Sequence, residues 1–220
     1  MRVDLHTHTN YSPDSLTNIT KFLAKCEARG LDYVAITDHN TIQGALQARN
    51  SSPIRIIIGE EIKSKDGEII GLFLETQVPK ELSSIETVQR IKDQGGLVSI
   101  PHPFDHFRSS VIRKEALQDI LPYVDIIEGF NARNIWDRDN LQAKEFARIN
   151  EIVTTSVSDS HTLVEIGRNY VEIPEFDGTP NNFLEALSWG KPTINKITPL
   201  IHVLTTLTKG QKMALRLFGK

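Results

Sequence analysis

The sequence predicts an α/β protein built on a mostly parallel sheet with helices outside it, closed into a barrel; an open doubly wound sheet is the alternative. Three observations carry this. Short apolar runs alternate along the chain with segments of helical period, the pattern of repeated β–α units. The runs are rich in Ile and Val, as strands covered on both faces are. Six of the seven histidines fall at or just past the end of a predicted strand, and in a barrel of parallel strands functional residues collect at the carboxyl ends.

Taken in order, residues 2–5 form the first strand and 18–29 a helix, with Gly30 at the C-cap position. A strand over 33–37 leads to a helix over 41–49. Strands over 54–59 and 69–74 flank Lys65, Asp66 and Gly67, which read as a hairpin turn. A helix over 85–94 ends at Gly95, and 97–100 is the next strand. Then come a helix over 114–121, a strand over 126–130, a helix over 138–150, strands over 153–157 and 169–173, and a helix over 181–189. No linker, repeat or low-complexity tract interrupts residues 1–198, which therefore read as one barrel domain. Residues 199–220 read as a C-terminal basic helical tail: Leu200, Ile201, Leu204 and Leu207 have helical spacing, and Lys209, Lys212, Arg216 and Lys220 make its end basic. Such a segment either packs on the barrel with a frayed end or touches an anionic membrane or nucleic acid.

A net charge of −3 gives no global pull toward nucleic acid, although a local basic patch is compatible with it. The single cysteine, Cys26, cannot form an internal disulfide and fits a reducing compartment; it falls in an apolar helical pattern with Ile19, Phe22 and Leu23, as a core residue would. The longest apolar runs, such as 54–58, are shorter than the roughly 20 residues that cross a bilayer, and no signal peptide is visible. A cytoplasmic protein without stable membrane insertion is expected, of unspecified oligomeric state.

The unusual residues are metal-ligand types. His6 and His8 stand two apart after the first strand, and Asp159 and His161 repeat that spacing near the other end of the chain. Residues i and i+2 of a strand face the same way, so each pair points together, and two such pairs on distant strands can close on one ion. Imidazole with carboxylate suits zinc, manganese or iron. His39, with Asp38 beside it, ends the run "YVAITDH"; Glu60 and Glu61 end "IRIIIGEE"; His102 lies between two prolines; Glu128 ends "DIIE". Asp14 is either a helix or turn cap or a further ligand.

These stretches, "DLHTHTNYSPDS", "AITDHN", "GEEI", "PHP" and "SDSH", resemble the ordered motifs of the polymerase and histidinol phosphatase (PHP) superfamily over about residues 1–175. The small stand-alone phosphoesterases of that family are the nearest in form. The resemblance implies a distorted (β/α)7 barrel whose metal site lies at the C-terminal ends of the strands. It also implies two or three divalent ions (Zn, Mn or Fe) held by His6, His8, Asp14, His39, Glu61, His102, Glu128, Asp159 and His161, with Asn131 or a water as the alternative to Glu128 for the ninth ligand. His6, His8, Glu61 and Asp159 would surround one ion, Glu61, His102 and Glu128 a second, and Asp14, His39 and His161 a third.

A hydroxide activated by those ions would attack the phosphorus of a phosphorylated small molecule or nucleotide. Cleavage of short single-stranded nucleic acid by the same centre is the alternative, with Phe104, Phe107, Phe130 and Trp136 as groove-lining or core residues. Glu61 and Asp159 would act in catalysis as well as in binding. Arg133 is the first candidate for phosphate contact, ahead of Arg108, Arg138 and Arg168. His106 either protonates the leaving group or is a surface loop histidine.

Overall fold

The computed structural model describes residues 1–197, 201, 205–208 and 210–212. Its elements are β1 (Arg2–Asp4), α1 (Ile19–Ala28), β2 (Tyr33–Ile36), α2 (Gln43–Arg49), β3 (Arg55–Ser64), β4 (Gly67–Leu72), α3 (Ser84–Lys92), β5 (Leu97–Ile100), α4 (Lys114–Ile120), β6 (Ile126–Asn131), α5 (Asp137–Ile149), β7 (Val153–Val157), β8 (Tyr170–Glu172), α6 (Pro180–Ser188) and β9 (Lys191–Thr193). Helix starts follow local chemistry. Ser83 and Glu86 make a reciprocal capping box before α3, and Asn18 and Thr179 cap α1 and α6 with their side chains.

One sheet runs in the order β7-β6-β5-β4-β3-β2-β1-β8-β9. The β1/β2, β2/β3, β5/β6 and β6/β7 pairs are parallel. β4 runs against both its neighbours, and the β8–β9 hairpin joins β1 antiparallel. The sheet curls until its far ends meet. Thr7 bridges to Ser160 in parallel register, His8 N–H donates to Ser160 O at 2.8 Å, and the buried Asp4 carboxylate accepts from Ser158 N–H at 3.1 Å and Ser158 O–H at 2.5 Å. The result is an α/β fold with a nearly closed, barrel-like sheet.

Strand alternation sorts the apolar residues into two cores. Val34, Ile36, Ile58, Val98, Ile100 and Ile127 face α1 to α5, packing with Phe22, Ala45, Val88, Leu117 and Ala143. Val3, Ala35, Ile57, Ile70, Leu72, Ile126 and Val157 face the interior, where Phe183 of α6 joins them. β3 extends five residues beyond the predicted strand end, through Ser64. Glu60, Glu61 and Lys63 interrupt its apolar run, but the hairpin pairs them with β4. β9, with only the residues Lys-Pro-Thr, has no apolar pattern to announce it. Among the described residues no helix is long and apolar enough to cross a membrane.

Candidate metal centre

The interior alternation continues past the apolar layer into carboxylates. Two or four residues on from Ile57, Ile126 and Val157 come Glu61, Glu128 and Asp159, and two residues before Ile70 comes Glu68, all buried. Pairing of Glu61 with Ile70 and of Lys63 with Glu68 puts Glu68 on the face of Glu61. His6 and His8 follow the end of β1 and point to the same place. Their Nε2 atoms are 3.0 Å apart, and Glu61 Oε2 lies 3.5 and 3.4 Å from them, Asp159 Oδ1 3.6 and 3.5 Å. Glu61 Oε2 and Asp159 Oδ1 are buried and accept no hydrogen bond from any described residue. His102 and Asp159 both take left-handed backbone, φ 31° and 50°, a strain of about 1–3 kcal/mol each that is held where the side chains converge.

The rings are oriented by their other nitrogens. His6 Nδ1 is 2.6 Å from Glu128 Oε1, which only accepts, so the ring's proton is on Nδ1 and the Nε2 lone pair faces the cluster. Ser12 O–H donates to Asp38 Oδ1 at 2.8 Å; its oxygen therefore accepts from His8 Nδ1 at 2.9 Å. Asp38 also takes Thr9 N–H at 2.7 Å and Thr9 O–H at 2.6 Å. Gly44 permits this packing, since a Cβ there would strike both Asp38 and Thr9. His161 Nδ1 donates to Asp159 O at 2.9 Å. Three imidazoles thus present lone pairs inward, the disposition of metal ligands.

The remaining donors lie around the same point. Asp14 sits between His39 Nε2 at 3.3 Å and His161 Nε2 at 3.4 Å, and its buried Oδ1 accepts no hydrogen bond from the described residues. Glu61 reaches both ways, Oε2 to His39 Nδ1 at 3.0 Å and Oε1 to His102 Nε2 at 3.2 Å. Glu68, which the motif reading passes over, stands 3.9 Å from His39 Nδ1 and 3.7 Å from His102 Nε2. Its signal was the hairpin register. Among the described residues, the donor triples that converge tightly enough for one ion are His6, His8 and Glu61; His8, His39 and His161; and His39, Glu61 and Glu68. Unpartnered buried carboxylate oxygens facing imidazole lone pairs fit divalent cations.

The electrostatics favour positive charge at this point, as a cation or as a second proton on an imidazole. Burial opposes charge on Glu61, yet His39 and His6 hold its carboxyl well below the usual range. Asp159 is likewise held low against burial, by Arg108 and His6. Burial and the neighbouring His161 push His8 down to about 3, whereas Asp159, Glu128 and Glu61 overcome burial and raise His6 well above its ordinary value.

Glu128 does not present a free oxygen as a ligand would: Oε1 holds His6, and Oε2 accepts from His102 N–H and Asn131 Nδ2, both at 2.8 Å. Arg133 is buried, with Nη1 2.8 Å from Glu165 Oε1 and Nη2 2.9 Å from Thr205 Oγ1; Glu165 in turn accepts from His161 N–H and Thr162 N–H. Arg108 is the arginine at the cluster, donating to Asp159 Oδ2 at 2.5 Å. His106 turns toward α5, its Nδ1 2.8 Å from the buried Asp139. In the tail, Lys212 donates to Asn10 O and Ser12 O at 2.6 Å each, so this cation belongs to the rim of the site; Leu200, Leu204, Lys209, Arg216 and Lys220 lie outside the described residues.

Comparison with known proteins matches residues 4–162 to the PHP domain and residues 137–192 to a PHP-associated domain. Two uncharacterized proteins of Methanocaldococcus jannaschii are similar to this chain. One is 40% identical over 154 residues, 64% of this chain and 86% of its own length. The other is 35% identical over 196 residues, 85% and 79%. A two-domain protein of Bacteroides vulgatus containing a predicted PHP-like metal-dependent phosphoesterase superposes with a TM-score of 0.70 at 18% identity, over 86% of this chain and 62% of that one. Endonuclease Q, in complex with a 27-mer duplex substrate bearing an abasic lesion, superposes with a TM-score of 0.64 at 15% identity, over 90% and 60%. At such identities these two likenesses concern the fold.

Proposed function

The chain belongs to the PHP domain family, and from that premise we propose that it is a metal-dependent phosphoesterase hydrolysing the phosphate ester of a small molecule or nucleotide. The observation that carries the reading is the set of three buried carboxylate oxygens, Asp14 Oδ1, Glu61 Oε2 and Asp159 Oδ1, that accept no hydrogen bond from the described residues while facing imidazole nitrogens. Two or three divalent ions (Zn, Mn or Fe) suit this donor set. Bound there, they supply positive charge for phosphoryl oxygens and make water acidic enough to serve as a nucleophile near neutral pH.

The chain's own residues do the rest. Glu128, Ser12 and the Asp159 carbonyl hold the protons of His6, His8 and His161 outward, so the inner nitrogens stay available. Glu61, reaching His39 with one oxygen and His102 with the other, ties neighbouring ligand groups together. Arg108, anchored by Asp105 and aimed at Asp159, adds a fixed cation at the mouth for phosphate. His106, half-exposed with its Nδ1 pinned by Asp139, keeps Nε2 outward to hand a proton to the leaving oxygen.

A second reading, cleavage of short single-stranded nucleic acid, is favoured by one observation: Phe107, next in sequence to Arg108, and Trp136 are exposed and in contact with each other. Phosphate release from a monoester, a diester, a nucleotide and a short 5′-phosphorylated RNA, with Mn²⁺, Zn²⁺ or Fe²⁺ added in turn, separates the readings. Metal content is followed in parallel for the wild type and His8→Ala. The expected result is turnover and metal lost together in the variant; full metal occupancy without turnover on the whole panel contradicts a phosphoesterase.

A further inference from the structure

The loop over residues 102–108 joins the metal cluster to the first turn of α5, and bonds of its own fix it. Asp105 N–H donates to His102 O at 3.1 Å, Phe107 N–H to Asp105 Oδ1 at 2.9 Å, and Arg108 Nε to Asp105 Oδ2 at 3.0 Å. His106 ties the same loop to Asp139 of α5 through its ring at 2.8 Å and its backbone N–H at 3.4 Å. Asp105 and Asp139 are buried, so the pins are shielded from water. At the inner end Arg108 meets Asp159.

On this fixed loop Phe107 is 55% exposed. Its ring meets Trp136 edge-on, with centroids 4.5 Å apart and planes at 66°. Trp136, the N-cap residue of α5, is 40% exposed and carries the Arg138 guanidinium 3.8 Å over its ring. Phe104 and Phe130 take no part. Phe104 packs against Phe146 and the helix-side core, and Phe130 is buried. Two aromatics and a guanidinium held at the surface by a rigid backbone form a contact surface with a preference: planar π-systems gain on it, and aliphatic groups gain little.

We propose that Phe107, Trp136 and Arg138 form a stacking platform for a planar heteroaromatic ring carried by the phosphoester, so that the substrate is a nucleotide or the terminal nucleotide of a strand. This rests on the phosphoesterase reading of the metal centre. Register supports it: Arg108 reaches the cluster where phosphate sits, and Phe107 is the adjacent residue, so a ring joined to that phosphate through a sugar falls beside the platform. Charge is compatible with it: Arg138 keeps its guanidinium largely in solvent while stacked on Trp136, with Nε 3.6 Å from Asp139 Oδ1.

The test reads the platform directly. The chain has two tryptophans, so Trp189→Phe leaves Trp136 as the only indole, in a protein otherwise intact. Its fluorescence is titrated with adenosine monophosphate, with ribose 5-phosphate and with a short 5′-phosphorylated oligonucleotide, before and after loading with Zn²⁺, and phosphate release is measured separately on the same samples. The account expects saturable quenching by the base-bearing ligands, absent with ribose 5-phosphate, and affinity falling roughly tenfold or more in Phe107→Ala. The relative response to the mononucleotide and the oligonucleotide tells a free nucleotide from a strand end. Hydrolysis of the nucleotide without quenching, or equal binding of ribose 5-phosphate, overturns the platform and leaves the phosphoesterase reading standing. Base-dependent quenching without hydrolysis under any metal does the reverse. A circular dichroism spectrum and a Zn²⁺ content equal to the wild type's show that Phe107→Ala is folded and its centre intact.

Discussion

His6 Nε2 and His8 Nε2 face each other across 3.0 Å, and each ring has already committed its Nδ1 proton elsewhere, His6 to Glu128 and His8 to Ser12. Two neutral rings so arranged would set lone pair against lone pair. Either a cation joins them or one ring takes a second proton. Three buried carboxylates around them, Glu61, Glu128 and Asp159, favour positive charge at that point.

The first prediction is a linkage between metal and protons. In the metal-free protein the surrounding carboxylates raise His6 and His39 well above 6.5. Imidazoles so raised contribute stability fully present below the ordinary value and lost as pH rises through the raised one. Divalent ions displace those protons, so metal affinity climbs with pH, and so does the gain in melting temperature on adding Zn²⁺. Calorimetric titration in two buffers of different ionisation enthalpy reads the proton release. A thermal gain that is flat or shrinks as pH rises would refute the linkage.

Ser12→Ala removes the acceptor for His8 Nδ1 and one of the ligands of Asp38, with no change to any proposed metal ligand. Partners of this kind are worth about 10–100-fold in metal affinity. Competition against a chelator is expected to show a loss in that range while the circular dichroism spectrum stays native. Unchanged affinity would mean that the Ser12 contact does not orient the ring.

Glu128→Gln tells a positioning role from ligation. An amide can turn its oxygen to His6 or to His102 N–H, but not to both as the carboxylate does. Reduced metal affinity with an unaltered number of ions bound is the expected outcome, measured by elemental analysis at saturating metal. Loss of one ion at saturation would identify Glu128 as a ligand.

Arg133 and Arg108 are expected to separate. Arg133→Met leaves the buried Glu165 uncompensated, a loss of about 3–5 kcal/mol that appears as a lower melting temperature. Arg108→Met is expected to raise KM for the phosphoester by roughly tenfold or more. A KM effect in Arg133→Met comparable to that of Arg108→Met, with little change in melting temperature, would restore Arg133 as the phosphate contact.

Much of this was legible in the sequence because period and donor type are local properties. The Ile/Val strands announced a sheet buried on both faces, and the two-residue spacing of His6 with His8 placed both rings at one point. What escaped depends on pairing between distant segments. The continuation of β3 beyond Gly59, the antiparallel run of β4 and the place of Glu68 all follow from one hairpin register, which the turn at Asp66 suggested but which no apolar alternation marked. Among the loop arginines the sequence favoured Arg133 over Arg108 for phosphate. Only the fold sets one against Glu165 and the other against Asp159. Ser12 lacks any pattern of its own, and its role exists because Asp38 comes from another strand end.

The most direct measurement of the central claim is anomalous diffraction at the zinc edge from crystals grown with Zn²⁺. A peak is expected within bonding distance, about 2.0–2.2 Å, of His6 Nε2, His8 Nε2, Glu61 and Asp159, with further density bounded by Asp14, His39 and His161. Zinc bound only elsewhere, with the His6–His8 contact unchanged and bare, would contradict it.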